Sequence, residues 1–173
     1  MAIFDAAERL MGTTDATWQR HANPWSVWTR FSVLPLIVLA IWSRVWLGWW
    51  ALPVIALTCG WAWWNPRAFD PPRQMTGWPS HGVLGEYVFL HHRDRVAAHH
   101  IRAAQILGWM SLPGVVWMAW GLWVMDPVAA GVGMVLAVVP KLWFVDRMVW
   151  VYHDFRRAGG MVFKGVDDGL DLG

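Results

Sequence analysis

Apolar runs separated by brief polar breaks set the plan of this chain. From Pro24 to Ser43 nearly every position is apolar, and after Ser43-Arg44 the run resumes from Val45 to Trp64. Two more runs follow, at 104–125 and 127–150. Each has the roughly 20 residues that a helix needs to cross a hydrocarbon core about 30 Å thick. One helix from 24 to 64 would be about twice that length, so Ser43-Arg44 reads as a tight hairpin. Asn23-Pro24 and Asp126-Pro127 place a capping side chain before a proline, the pairing favoured at the start of a helix. Pro35 and Pro113 are expected to bend their spans, and Asn65-Pro66 to end the second.

The flanking segments are amphipathic or polar. Ile3, Phe4, Ala7, Leu10 and Met11 share a helical face opposite Asp5, Glu8 and Arg9, which predicts a short interfacial helix over 2–11. Thr14 is placed to cap a second one running through Trp18 to His21. Residues 65–80 are rich in proline and predict a surface loop. Residues 81–104 alternate charged and apolar groups at helical spacing and predict a protruding helix feeding the third span. The Gly-rich acidic end is expected to fray. The expected organisation is interfacial helices over 1–22, a membrane domain over 23–155, and a flexible tail over 156–173. The membrane domain has spans at about 24–43, 45–64, 104–125 and 127–150, with a surface loop and helix at 65–103. The fold class is all-α: an integral membrane four-helix bundle with one or two amphipathic helices on its cytoplasmic face.

Composition agrees. The 173 residues are 57% hydrophobic and 15% charged, against about 25% charged in soluble domains. Four crossings divide the 14 Lys and Arg residues 12, 1 and 1. Twelve fall on the side that holds both ends, Arg44 lies alone on the other, and Lys141 lies within the fourth span. The positive-inside rule makes the crowded side cytoplasmic, in the cell (inner) membrane. The basic excess then has anionic lipid headgroups as its natural partner, rather than nucleic acid. Cys59 is alone, so no internal disulfide forms. The first residues carry acids before any apolar core and lack a signal-peptide pattern. Most of the 17 tryptophans fall near the span ends, as two interfacial belts. The sharper alternative is a Trp-lined pocket for a flat apolar ligand or pigment such as a haem, quinone, carotenoid or sterol-like molecule.

Ionisable residues inside spans are expensive and usually face the bundle or a wet cavity. Lys141 is expected about 20 Å from the outer end of the fourth span, with Asp146 and Arg147 two turns further in. Arg30, Glu86, His21, Asn23 and Asn65 come from the same membrane level. The expectation is a polar cluster at the cytoplasmic ends of the helices, either binding a ligand or simply tying helices together. His91, His92, His99 and His100 form a second candidate group, for Zn, Cu or Fe. Two turns span about 10.5 Å, so one straight helix cannot chelate an ion with both pairs, and a further element must contribute. Ser26 and Thr29 have no evident catalytic partner, and phosphate loops, CxxC, HExxH and nucleophile elbows are absent from the sequence. Gly131, Gly133, Ala129, Ala130 and Ala137 offer a small-residue surface for close packing within one chain or between copies.

The segments HANPWSVWTRF (21–31), NPRAF (65–69), GE (85–86) and KLWFVDRMVWVY (141–152) resemble the motifs of an uncharacterised family of small Trp-rich multi-pass membrane proteins of archaea and bacteria. The resemblance implies an integral membrane protein and carries no activity. The leading expectation is therefore a non-enzymatic binding or accessory protein. It would hold an apolar or amphipathic anionic ligand, or a partner subunit, at the cytoplasmic half of the bundle. The rivals are a small oligomeric transporter or channel lined by Lys141 and Asp146, and a His-site metalloenzyme acting on lipid-like substrates.

Overall fold

A computed structural model describes residues 14–163 and 167–170, and they are predominantly helical. Helix α1 spans Asp15–His21, with Thr14 Oγ1 accepting the Thr17 N–H at 3.4 Å, the expected cap. Helix α2 spans Pro24–Phe31, and the Asn23 side chain accepts the Trp25 N–H at 3.0 Å. Helix α3 spans Val33–Trp42. The break at Ser32 sits three residues before Pro35, whose ring nitrogen cannot serve the Phe31 carbonyl. A short α4 (Arg44–Leu47) and a 3-10 turn (Gly48–Trp50) then reverse the chain. Gly48 has φ +53° and ψ −126°, a conformation open to glycine and strained for other residues. Helix α5 spans Ala51–Ala68, α6 Trp78–His91, α7 Ala98–Val124 and α8 Pro127–Arg157.

Several boundaries differ from the sequence expectation. The second apolar helix starts at Ala51 rather than Val45 and runs through Asn65-Pro66 to Ala68. Pro66 lies in the last turn, where its missing N–H forfeits a single bond. The helix expected over 81–104 is two helices: His92 and Ala97 leave helical geometry around a 3-10 turn at Arg93–Arg95. Helix α8 is 31 residues long, about 46 Å at 1.5 Å per residue, so its last turns extend beyond any single crossing. The tail is held where it is described. Asp168 is buried, and Met75 N–H donates to the Asp167 carbonyl at 2.8 Å. The helix expected over 2–11 lies outside the described residues.

Three helical stretches are long and apolar enough to cross a membrane: Pro24–Ala68 with 45 residues, Ala98–Val124 with 27 and Pro127–Arg157 with 31. The first folds back on itself. Asn23 Nδ2 donates to the Asp70 carbonyl at 3.0 Å and Ser26 Oγ to Asn65 Oδ1 at 3.3 Å, so its start lies beside its end. At the opposite end the Arg44 guanidinium donates to the carbonyls of Leu122 and Trp123, filling acceptors that the last turn of α7 leaves open.

Burial is concentrated at one end. The main core gathers Trp18, Val27, Val83, Leu84, Val88, Phe89, Phe144, Met148, Tyr152 and Phe155 from α1, α2, α6 and α8. A smaller cluster of Met118, Leu122 and Ala130 meets Leu34, Val38, Ile41 and Trp42 of α3 near the other end. Small residues let α7 and α8 touch. A Cβ at Gly114 would collide with the Ala137 backbone, one at Gly121 with Ala130, and one at Gly133 with Met118. Gly131 meets nothing and faces away from this seam. Thirteen of the 17 tryptophans are exposed, so the indoles cover the outside of the helices instead of filling the core.

Candidate functional site

Among α1, α2, α3, α6 and the α7–α8 pair, with Pro66 of α5 at its edge, lies a cavity of about 440 Å³. Its walls are largely apolar, with Val27, Phe31, Leu34, Val115, Ala137 and Val138 among them. Its polar lining comes from His21, Arg30, Glu86 and Lys141, together with Ser111. Lys141 Nζ stands 3.9 Å from Glu86 Oε1 and 4.5 Å from the centre of the Phe144 ring. The Lys141 side chain is 55% exposed and that of Glu86 25%, so the pair is reachable.

Arg30 Nη1 lies 2.8 Å from His21 Nε2. A guanidinium only donates, so Nε2 must accept, which leaves the imidazole neutral with its proton on Nδ1. That proton faces Ser26 Oγ at 3.1 Å. The serine then donates to Asn65 Oδ1, Asn65 Nδ2 donates to Thr29 Oγ1 at 2.7 Å, and Thr29 donates to the Trp25 carbonyl at 2.7 Å. Proton donation runs one way from Arg30 to Trp25. It is opposite to what a histidine activating a serine requires, since His21 gives its proton to Ser26. Ser26 and Asn65 are fully buried, so the chain supports Arg30 from inside the fold. Burial, then the positive charges of Arg30 and Lys141, push the His21 pKa well below its ordinary 6.5.

Of the eight residues expected in the polar cluster, His21, Arg30, Glu86 and Lys141 line the cavity and Asn65 supports it from behind. Asn23 caps α2 and ties it to Asp70. Asp146 and Arg147 do not join. Asp146 accepts the Trp78 indole N–H at 3.0 Å, and the buried Arg147 Nε has no hydrogen-bond partner among the described residues. Five residues turn a helix through about 500°, which leaves Asp146 about 140° away from Lys141. Shared depth suggested the grouping, and helical phase undoes it. Ser26 and Thr29 were missed as members. Their signal was the three-residue spacing that puts both on the face of α2 toward Asn65. A Trp-lined pocket is not what this cavity is: Trp18 is the single tryptophan among its described lining residues.

The four candidate metal histidines separate. His91 stacks on Tyr87 at 4.2 Å between centroids and His92 on Phe155 at 5.3 Å. Only His99 and His100 stay together, joined by Asp154 of α8, with ligand atoms within 4.8 Å of one another. His100 Nε2 is 3.0 Å from Asp154 Oδ2, and Arg157 reaches the same carboxylate at 3.3 Å. This donor set lies in the first turn of α7 beside an arginine, where helix dipole and charge favour the carboxylate contact over a cation.

A second polar knot secures the C-terminal segment. His81 Nε2 donates to the Asp168 carbonyl at 2.9 Å, and its Nδ1 lies 3.0 Å from His153 Nε2. Tyr152 and Arg156 both donate to the Asp168 carboxylate, at 2.6 and 2.5 Å. Burial pushes the Asp168 pKa up, but these hydrogen bonds outweigh it and hold the carboxyl below its ordinary range.

The described residues form an all-helical protein with three helical stretches long and apolar enough to cross a membrane and with most tryptophans on the outer surface, which is consistent with a membrane protein. The chain belongs to a family of unknown function, DUF6653, whose family model matches residues 2–165. No curated protein and no solved structure matches it.

Proposed function

We propose that this is a four-crossing membrane protein that binds an amphipathic anionic ligand in the cavity beside Lys141. One observation carries the reading. Residues far apart in sequence, Arg30, Glu86 and Lys141, border one apolar chamber, with Arg30 braced by a buried hydrogen-bond chain. A charge inside a span is unfavourable unless something is gained, and an anionic head beside Lys141 supplies the gain.

Four crossings are supported by the fold-back at Arg44–Trp50 and by the pairing of residues 20–26 with 65–70. With that count, both ends and the basic connection share the cytoplasmic side. The site then lies at the cytoplasmic half of the bilayer, where the head of a membrane amphiphile sits.

Native mass spectrometry of protein extracted gently from membranes tests the reading. A bound species of a few hundred daltons is expected, lost or reduced about tenfold in Lys141→Met, the value of one charge-assisted hydrogen bond. Identical occupancy in the variant would remove the site.

A further inference from the structure

We infer that the chamber measures the length of its occupant and selects a medium-chain amphiphile, with a tail of about ten to twelve carbons. This rests on the ligand reading above and adds a limit that the reading does not contain. The argument starts from the end wall. The apolar lining runs from the Lys141–Glu86 pair toward the α3–α4 end and stops at Leu34, Val115 and Ala137. One turn further on, all three helices are packed together. Val38 of α3, Met118 of α7 and Met134 of α8 belong to one cluster, which Leu34 also joins. Close-packed side chains there leave a tail no room to continue along the bundle.

The register of α7 on α8 gives the depth. Gly114 lies against Ala137 and Gly133 against Met118, so Ser111 stands level with Lys141, and Met118 with Met134. Both intervals are seven residues, about 10.5 Å at 1.5 Å per residue. Lys141 Nζ lies 4.5 Å from the centre of the Phe144 ring, on the side away from the end wall. A head held at that level lengthens the path to about 15 Å. An extended chain advances about 3.5 Å over three bonds, so about nine to thirteen carbons span the distance. Volume gives a second measure. The cavity of about 440 Å³, at about 30 Å³ for each water-sized group, holds about 15 heavy atoms. A carboxylate head with a tail of about twelve carbons fills it, and a sixteen-carbon chain exceeds both limits.

The test uses the full chain, delipidated in detergent and titrated by native mass spectrometry with the straight-chain carboxylates octanoate, decanoate, dodecanoate, tetradecanoate and hexadecanoate. Affinities are referred to the free aqueous carboxylate. Each added methylene should tighten binding about fourfold as far as dodecanoate. Tetradecanoate and hexadecanoate should bind no tighter than dodecanoate. Met134→Ala lowers the end wall and should move the break toward longer chains by about two carbons. Val138→Phe fills part of the chamber and should move it toward shorter ones. The wild-type series decides the matter even where one variant fails to fold. A rise that continues unbroken to hexadecanoate, or a break that moves in neither folded variant, overturns the length limit while the cavity stands as a ligand site. If no carboxylate shows binding that Lys141→Met weakens, the ligand reading itself fails.

Discussion

Arg30 has no lone pair to offer, and that constraint orients every hydrogen bond behind it. His21 must stay neutral to accept from Arg30, so the arrangement responds to pH. The His21 pKa is lowered in the fold from an ordinary 6.5, so the folded protein binds fewer protons than the unfolded chain as pH drops below that value. Stability is then intact above about 6.5 and is lost as pH falls through the depressed folded value. Thermal unfolding between pH 8 and 5 should show a falling midpoint, and His21→Gln should flatten that part of the profile. Ser26→Ala would remove from the buried His21 Nδ1–H and Asn65 carbonyl oxygen the partner each has in Ser26. It should cost about 1–3 kcal/mol, read by chemical denaturation in detergent. Loss of Asp168 should act elsewhere. Asp168→Asn would weaken the bonds from Tyr152 and Arg156 and expose the C-terminal segment to limited proteolysis, leaving the cavity unaffected.

Helices here meet through glycine. A methyl group at Gly85 would overlap the Met148 carbonyl, and no flexible side chain is present to yield. Gly85→Ala should therefore destabilise the α6–α8 contact by about 1–3 kcal/mol or more. Gly131→Ala, which meets nothing, should stay within about 0.5 kcal/mol of wild type. The pair forms a controlled comparison in one unfolding assay. Apolar runs and capping pairs announced α2, α7 and α8 in the sequence. Their ends were less legible because a helix end depends on what receives its open carbonyls. Arg44 fills the last carbonyls of α7 from a distant turn, and α6 packs along the last turns of α8, which continues to Arg157.

The distribution of burial explains why so much of the surface is apolar. The packed core lies at the α1–α6 end, and along the spans broad exposed faces carry Leu39, Leu57, Val116, Val135 and most of the indoles. Such faces are a liability in water and ordinary in lipid. With four crossings, cysteines placed near residue 14 and at the C-terminal end should label from the same side, and one placed at Trp49 from the other. Label on the two ends from opposite sides would break the four-crossing map and the depth assigned to the cavity.

Local order along the chain was enough for the apolar runs, the N-caps at Thr14, Asn23 and Asp126, and the level shared by Arg30, Glu86 and Lys141, because each depends on neighbours within a few turns or on counting residues along a helix. Which of the charged residues meet was decided only in three dimensions. The packing of α6 on α8 gives Asp146 the Trp78 indole as its partner, the break at 92–97 scatters the histidines, and the contact of α2 with α5 delivers Asn65 to Ser26. Depth follows from counting residues. Direction around a helix acquires meaning only when another helix stands beside it.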